Sequence, residues 1–288
     1  MTIQTAPGAA GASASVAPAG AGRGPAPRAA RFSDVVRSEW TKIRTVRSTY
    51  FALGAAILLS VGLGALIGLA VGNHYQNNGR FRGGDIFDPT SVSFYGMSFG
   101  QLAIAVLGVL VVTSEYATGM IRTTLQAMPR RGWVLAAKAG VFAAVALVVG
   151  EVLAFAAFLV VQPILHGQGA PSATLGQPLV LRAVFGAGLY LTGTGLLALG
   201  LGALVRHTAG AITVVVAVFF VLPGVSNALP TSIQQWVQEF LPTDAGQQVA
   251  SVVRGAHTLP AWAGLGVLCA YAAVVLGIAY VLLQRRDA

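Results

Sequence analysis

Of the 288 residues, 55% are hydrophobic and only 9% are charged, against about 25% charged residues in a soluble domain. With a mean hydropathy of +0.73, this composition excludes an ordinary water-soluble domain and places the chain among polytopic membrane proteins. The net charge of +9 does not signal nucleic acid, because the arginines and lysines stand at the ends of apolar runs rather than in one patch. The single cysteine, Cys269, lies within an apolar run. It excludes an internal disulfide or a cysteine metal cluster and reads as a small buried hydrophobe.

Residues 1–31 are dominated by Ala, Gly, Pro and Ser ("GAAGASASVAPAGAGRGPAPRAA"). They show no apolar period and no leucine-rich core of a signal peptide, so a disordered tail is expected. From Phe32 the pattern changes. Phe32, Val35, Val36, Trp40, Ile43, Val46 and Tyr50 recur every three or four positions, which predicts one helical stripe over residues 32–48. Arg37, Lys42, Arg44 and Arg47 fall on the other face, Ser33 is the expected N-cap, and Asp34 suits the first turn. Such a basic amphipathic helix lies flat at a membrane surface.

A hydrocarbon core of about 30 Å needs about 20 apolar helical residues. Six segments meet this, at about 50–72, 91–113, 136–161, 179–205, 209–228 and 261–283, so the expected fold is all-α with six transmembrane helices. Only "RHTAG" separates the fourth from the fifth, a tight hairpin. With the N-terminus inside, fourteen of the eighteen basic residues fall on the inner side and only Arg80, Arg82, Arg182 and Arg254 on the outer. The positive-inside rule therefore places both termini in the cytoplasm. On the outer side, "NHYQNNGRFRGGDIFDP" reads as a polar loop, and residues 162–178 form a Gly/Pro-rich connection. "PTSIQQWVQEFLPTDAGQQVASVVRG" reads as two short amphipathic helices broken at Pro242. There Ile233, Trp236, Val237 and Phe240 form one apolar face, Ser232 with Gln235 resembles a capping box, and Asp244 is a second N-cap candidate. These helices either rest on the outer leaflet or dip into it, or they cap the bundle.

Motifs for independent chemistry are absent. A P-loop needs a glycine before its lysine, but Lys42 follows Thr41 and Lys138 follows Ala137. The histidines (His74, His166, His207, His257) are dispersed, so neither a metal site nor an enzyme is expected. Runs such as "GLGALIGLAVG" and "GTGLLALGLGALV" supply small residues for close helix packing. One ionisable residue sits deep in a span: Glu151 in "ALVVGEVLAFAAF". A carboxyl inside a bilayer faces the bundle interior or a cavity. It is either a carboxylate on a substrate or proton path, or a hydrogen-bonded contact with Gln101, Thr192 or Thr194.

Four stretches in order carry a family resemblance. "SEWTKIRTVRSTY" (Ser38 to Tyr50), "SEYATGMIRTTLQAMPRRGWVLAAK" (Ser114 to Lys138), "LPTDAGQQV" and the terminal "RRDA" resemble the permease subunit of ABC type-2 exporters of the actinobacterial type, over residues 32–288. Met120 stands where a threonine is more usual. The resemblance implies that the first cytoplasmic loop is a coupling helix seated in an ATPase subunit, with Glu115, Tyr116, Gly119, Arg122, Pro129 and Arg131 as coupling residues. It implies Glu39, Trp40, Lys42 and Arg44 as residues of the interfacial helix. It further implies partners: an ABC ATPase subunit that holds ATP and Mg, this chain binding no cofactor itself, and a second permease copy in a homodimer or heterodimer. The setting is the cell membrane. The alternative is a proton-coupled secondary transporter working through Glu151, which would normally show internal repeats; none is evident.

Overall fold

The computed structural model describes residues 31–45, 47–78, 87–121, 131–255 and 258–285. Among them the chain is all helical: α1 (Phe32–Thr45), α2 (Arg47–Asn78), α3 (Pro89–Phe94), α4 (Met97–Ala117), α5 (Arg131–Gly167), α6 (Val180–Val205), α7 (Thr208–Ser226), α8 (Thr231–Phe240), α9 (Pro242–Gln247) and α10 (Ala261–Arg285). Six of these, α2, α4, α5, α6, α7 and α10, are long and apolar enough to cross a membrane, so the chain is a multi-pass membrane protein. Large apolar side chains such as Leu58, Leu66, Val148, Leu159 and Val274 remain exposed around the bundle. In water they would be a liability; in a bilayer they face hydrocarbon. Cys269, expected to be buried, is among the exposed residues of α10.

The two central helices are α4 and α6, with 56% and 61% of their apolar windows buried, against 17% for α7 and α10. They approach closely because small residues meet. A Cβ on Gly108 would lie 2.5 Å from Gly195 O, and Gly202 faces the backbone of Val109. This is the small-residue packing expected from the second glycine run.

The second span starts later than expected. Asp88 caps α3 through Thr90 N (2.9 Å) and Ser91 N (3.3 Å). The chain then turns at Tyr95 and Gly96, and α4 begins at Met97. Gly96 lies against the backbone of α2, where a Cβ would overlap Ser60 O and Gly64 N. The fifth span, α7, carries a π-helical turn at Ala217–Val221. Pro223 lacks an N–H and its ring crowds the carbonyl of Phe219, so the helix widens just before it.

Three capping assignments are corrected. Ser33 lies inside α1, and Arg31 O accepts from Asp34 N and Val35 N while the Asp34 carboxylate accepts from Arg31 N (3.0 Å). The Ser232–Gln235 box does not form: Pro230 precedes α8 and no side chain caps it. Asp244 sits within the first turn of α9, whose N-cap position is Leu241.

The end of the bundle opposite α1 is closed by polar clasps. Gln162 of α5 donates to Pro89 O (2.7 Å) and Ser93 Oγ (2.8 Å) and accepts from Ala173 N (2.6 Å). Asp88 also accepts from Val252 N (2.8 Å), Val253 N (3.1 Å) and Ser251 Oγ (3.2 Å). Its carboxyl is held below the usual range: burial works to raise it, but the Val253, Ser91 and Val252 hydrogen bonds outweigh that. A depressed carboxyl stabilises the fold fully above about pH 4 and loses that contribution as pH falls through its lower folded value. Asp88→Ala removes one cap and orphans two loop N–H groups, an expected loss of about 2–3 kcal/mol. Thermal melts in detergent at pH 7 and below pH 4 check this, and the gap between variant and parent should shrink at the acid end.

Of the two short helices predicted after the fifth span, α8 keeps Ile233, Trp236 and Phe240 exposed on one face. Its other side is tied down by Gln238 to Asn227 Oδ1 (2.9 Å) and Ser226 Oγ (3.2 Å). In contrast, α9 is no surface helix. Pro242, Thr243, Ala245 and Gly246 are buried, and Gly246 lies against Tyr190 and Leu268.

Candidate functional site

At the α1 end of the bundle, four charged side chains form a closed ring. Lys42 Nζ donates to Glu39 Oε1 (2.7 Å) and Glu115 Oε1 (2.8 Å). Lys138 Nζ donates to Glu39 Oε2 (2.6 Å) and Glu115 Oε1 (2.9 Å). Glu39 and Glu115 are 2% and 3% exposed and the Lys138 side chain 4%, while the Lys42 side chain stays 35% exposed. Two carboxylates and two ammonium groups neutralise one another, which is the condition for keeping charges out of water. Burial tends to lower the pKa of Lys42, but its hydrogen bonds to Glu115 and Glu39 outweigh that and hold it above the usual lysine range. Its charge therefore persists through neutral pH and is lost only in strong alkali.

The ring joins three elements. Glu39 and Lys42 come from α1, one helical turn apart on the face that also buries Val35. Glu115 comes from the last turn of α4 and Lys138 from the first turns of α5. Phe32 adds an edge-to-face contact with Trp133, centroids 5.7 Å apart. Thus α1 is fastened to the start of α5. This corrects the expected disposition of α1: Lys42 turns into the bundle, Glu39 is its buried polar residue, and Trp40 is 49% exposed, with Arg37 and Arg44 also exposed.

Around the ring, α4 ends through Gly119, whose φ of 71° lies in the left-handed region that glycine tolerates. Gly119 N donates to Tyr116 O (3.2 Å). The Arg206 guanidinium stacks over the Tyr116 ring at 5.3 Å, a cation–π contact between the ends of α4 and α6. Of the expected coupling residues, Glu115, Tyr116 and Gly119 are therefore together at one end of the bundle. Arg122 and Pro129 lie outside the described residues, and Arg131 opens α5. The Glu115 Oε2 atom is buried and has no partner among the described residues.

The expected intramembrane pair does not form one site. The Glu151 carboxyl lies against Gly188 of α6, where a Cβ would come within 2.5 Å of its Cδ, and Glu151 Oε2 is buried with no partner among the described residues. Thr192 and Thr194 donate back to Gly188 O and Tyr190 O of their own helix, both at 2.9 Å. Gln101 faces a separate cleft of about 280 Å³ between the start of α4 and α6. A neighbouring cleft of about 400 Å³, bordered by Glu239 and Asp244, shares Gln247 and Gln248 with it. Burial pushes the Asp244 carboxyl up.

Sequence reasoning named Glu39, Lys42 and Glu115 but not their partnership, and it missed Lys138 as a buried group. The available signal was Glu39 itself. It stands four residues after Val35, on the apolar stripe where a charge demands a partner. No protein-family model matches this chain, and no curated protein matches it.

Proposed function

We propose that this chain is the membrane-spanning subunit of an ABC type-2 exporter, driven by ATP hydrolysis on a separate ATPase subunit. The observation that carries this reading is the buried ionic ring. It clamps α1, α4 and α5 together at both ends of the segment 118–130, the segment that resembles a coupling helix. A push on that segment would be transmitted to three helices as a unit rather than absorbed by one flexible connection. In this reading the α1 end faces the cytoplasm, as the positive-inside count requires, and the membrane is the cell membrane. A second permease copy, identical or related, completes the transport path. ATP and Mg belong to the ATPase; this chain supplies the docking segment and the path.

The test is co-purification from the native membrane. A P-loop ATPase should remain bound at about one per chain, as twofold pairing requires. Glu115→Gln should leave the complex assembled while lowering its ATPase rate several-fold. Full ATPase activity in that variant would remove the coupling role of the ring. The absence of any bound ATPase would overturn the reading as a whole. Glu151, whose Oε2 is buried with no partner among the described residues, favours a second reading, proton-coupled transport, in which Glu151→Gln abolishes movement driven by a proton gradient with no ATPase present.

A further inference from the structure

The proposed coupling machinery uses none of the polar residues at the opposite end of the bundle. We propose that the cleft between the start of α4 and α6 is a binding subsite for an uncharged, hydroxyl-rich group of about the size of one sugar ring. This names a substrate class and rests on the reading of the chain as a transport subunit.

Four observations converge. First, Gln101 is only 2% exposed, and its Nε2 has no hydrogen-bond partner among the described residues. A buried amide left without an acceptor is costly, and a turn of the side chain toward the cleft would let an oxygen of a bound ligand satisfy it. Second, among the described residues none that lines the cleft is charged, and the Arg182 guanidinium beside it is turned to Ser251 O, so an ionised ligand would be desolvated there without a counter-charge in the lining. Asp88, adjacent to Ser91 and Ser251, is already occupied by its own hydrogen bonds. Glu239 and Asp244 border the other cleft, across Gln247 and Gln248. Third, the Ser98 hydroxyl and the Gln247 amide share the lining with Gln101, while the Ser251 hydroxyl, whose proton is taken by Val253 O or Asp88, is left as an acceptor. Between them these groups donate and accept, as ligand hydroxyls do, and Gln247 Nε2 is already oriented by donation to Tyr190 OH (3.2 Å). Fourth, Tyr95 lines the same cleft and is 55% exposed, so its ring is available for the apolar face of a sugar ring to pack against. The volume of about 280 Å³ sits near the low end of the roughly 300–1,000 Å³ of small-molecule sites, which fits one ring rather than a large drug.

The experiment is equilibrium binding to the purified chain, with whatever partner it retains, in lipid nanodiscs. The probes are radiolabelled octyl glucoside below its micellar concentration, decyltrimethylammonium and decyl phosphate. Saturable binding of the glucoside, stronger than that of either charged amphiphile, is expected. Gln101→Leu and Gln247→Leu should each weaken it about tenfold, the loss of one good hydrogen bond. Because Gln247 is exposed, its variant reports on the cleft even if the Gln101 variant folds poorly. No saturable glucoside binding, tighter binding of a charged probe, or binding unchanged in both variants would overturn the assignment. The measurement needs neither ATP nor an ATPase. A bound ATPase with no glucoside binding leaves the exporter reading standing and removes this subsite; glucoside binding with no ATPase does the reverse.

Discussion

Lys138→Met should destabilise the protein by about 3–5 kcal/mol, the cost of breaking a buried ion pair from one side. Lys138 contacts both carboxylates of the ring, at 2.6 and 2.9 Å, from a side chain that is 4% exposed. Without it, Glu39 and Glu115 keep only Lys42, and two buried carboxylates then share one ammonium group. The excess negative charge must be hydrated or protonated, and either outcome loosens the junction of α1, α4 and α5. The variant Glu39→Gln/Lys138→Met should recover much of the loss, because it removes one charge of each sign. The double variant separates the penalty of an unpaired charge from the loss of packing. The measurement is the midpoint of thermal unfolding, followed by tryptophan fluorescence in detergent; Trp40 and Trp133 lie on two of the three elements the ring joins. A single variant as stable as the parent would mean that the ring is hydrated and contributes nothing.

The second large effect is expected at Gly96. A Cβ there would overlap Ser60 O and lie 2.5 Å from Gly64 N and 2.9 Å from Gly64 Cα. All three are backbone atoms of α2, so no rotamer change relieves the overlap. Gly96→Ala must push α2 away from the α3–α4 turn, and a cost of about 3 kcal/mol is expected, at the upper end for overpacking. Gly54→Ala, on the same α2 but with nothing within 4 Å of its Cβ, should change stability by less than about 0.5 kcal/mol. The contrast is read as expression yield and monodispersity on size exclusion together with the melting midpoint. Equal behaviour of the two variants would show that α2 does not approach the turn so closely.

Both expectations concern features that lie between elements, and this marks how far the sequence could be read. The six spans were legible because an uninterrupted apolar run of about 20 residues has few other homes. The hairpin between α6 and α7 was legible because five residues leave no room for anything else, and Arg206 and His207 make the turn. The break before α4 was not seen, since Ser91, Ser93 and Gly96 interrupt the apolar run only weakly, and Ser60, which Gly96 meets at the break, is 36 residues away in the chain. The amphipathic reading of α1 was right in kind and wrong in detail. Trp40 was assigned to the apolar side and Lys42 to the solvent face, whereas the buried face carries Val35 and Glu39 and Lys42 turns inward. Hydrophobicity alone ranks a tryptophan above a glutamate for burial. Only the presence of Lys138 on a neighbouring helix reverses that order. Likewise Glu151 and Gln101 were each recognised as polar groups within apolar segments, and grouped, because the sequence cannot tell which faces of two helices meet.

The sequence by itself determined the class of this protein, its number of spans and the places where its charges gather. Those follow from the cost of putting backbone and charge into hydrocarbon, a cost each segment meets locally. Only the tertiary structure decided which charges are partners, that α9 is buried rather than resting on the surface, and that Gln101 opens onto a cleft while Glu151 does not join it. Those depend on contacts between residues far apart in the chain, whose energies exist only once the helices have packed.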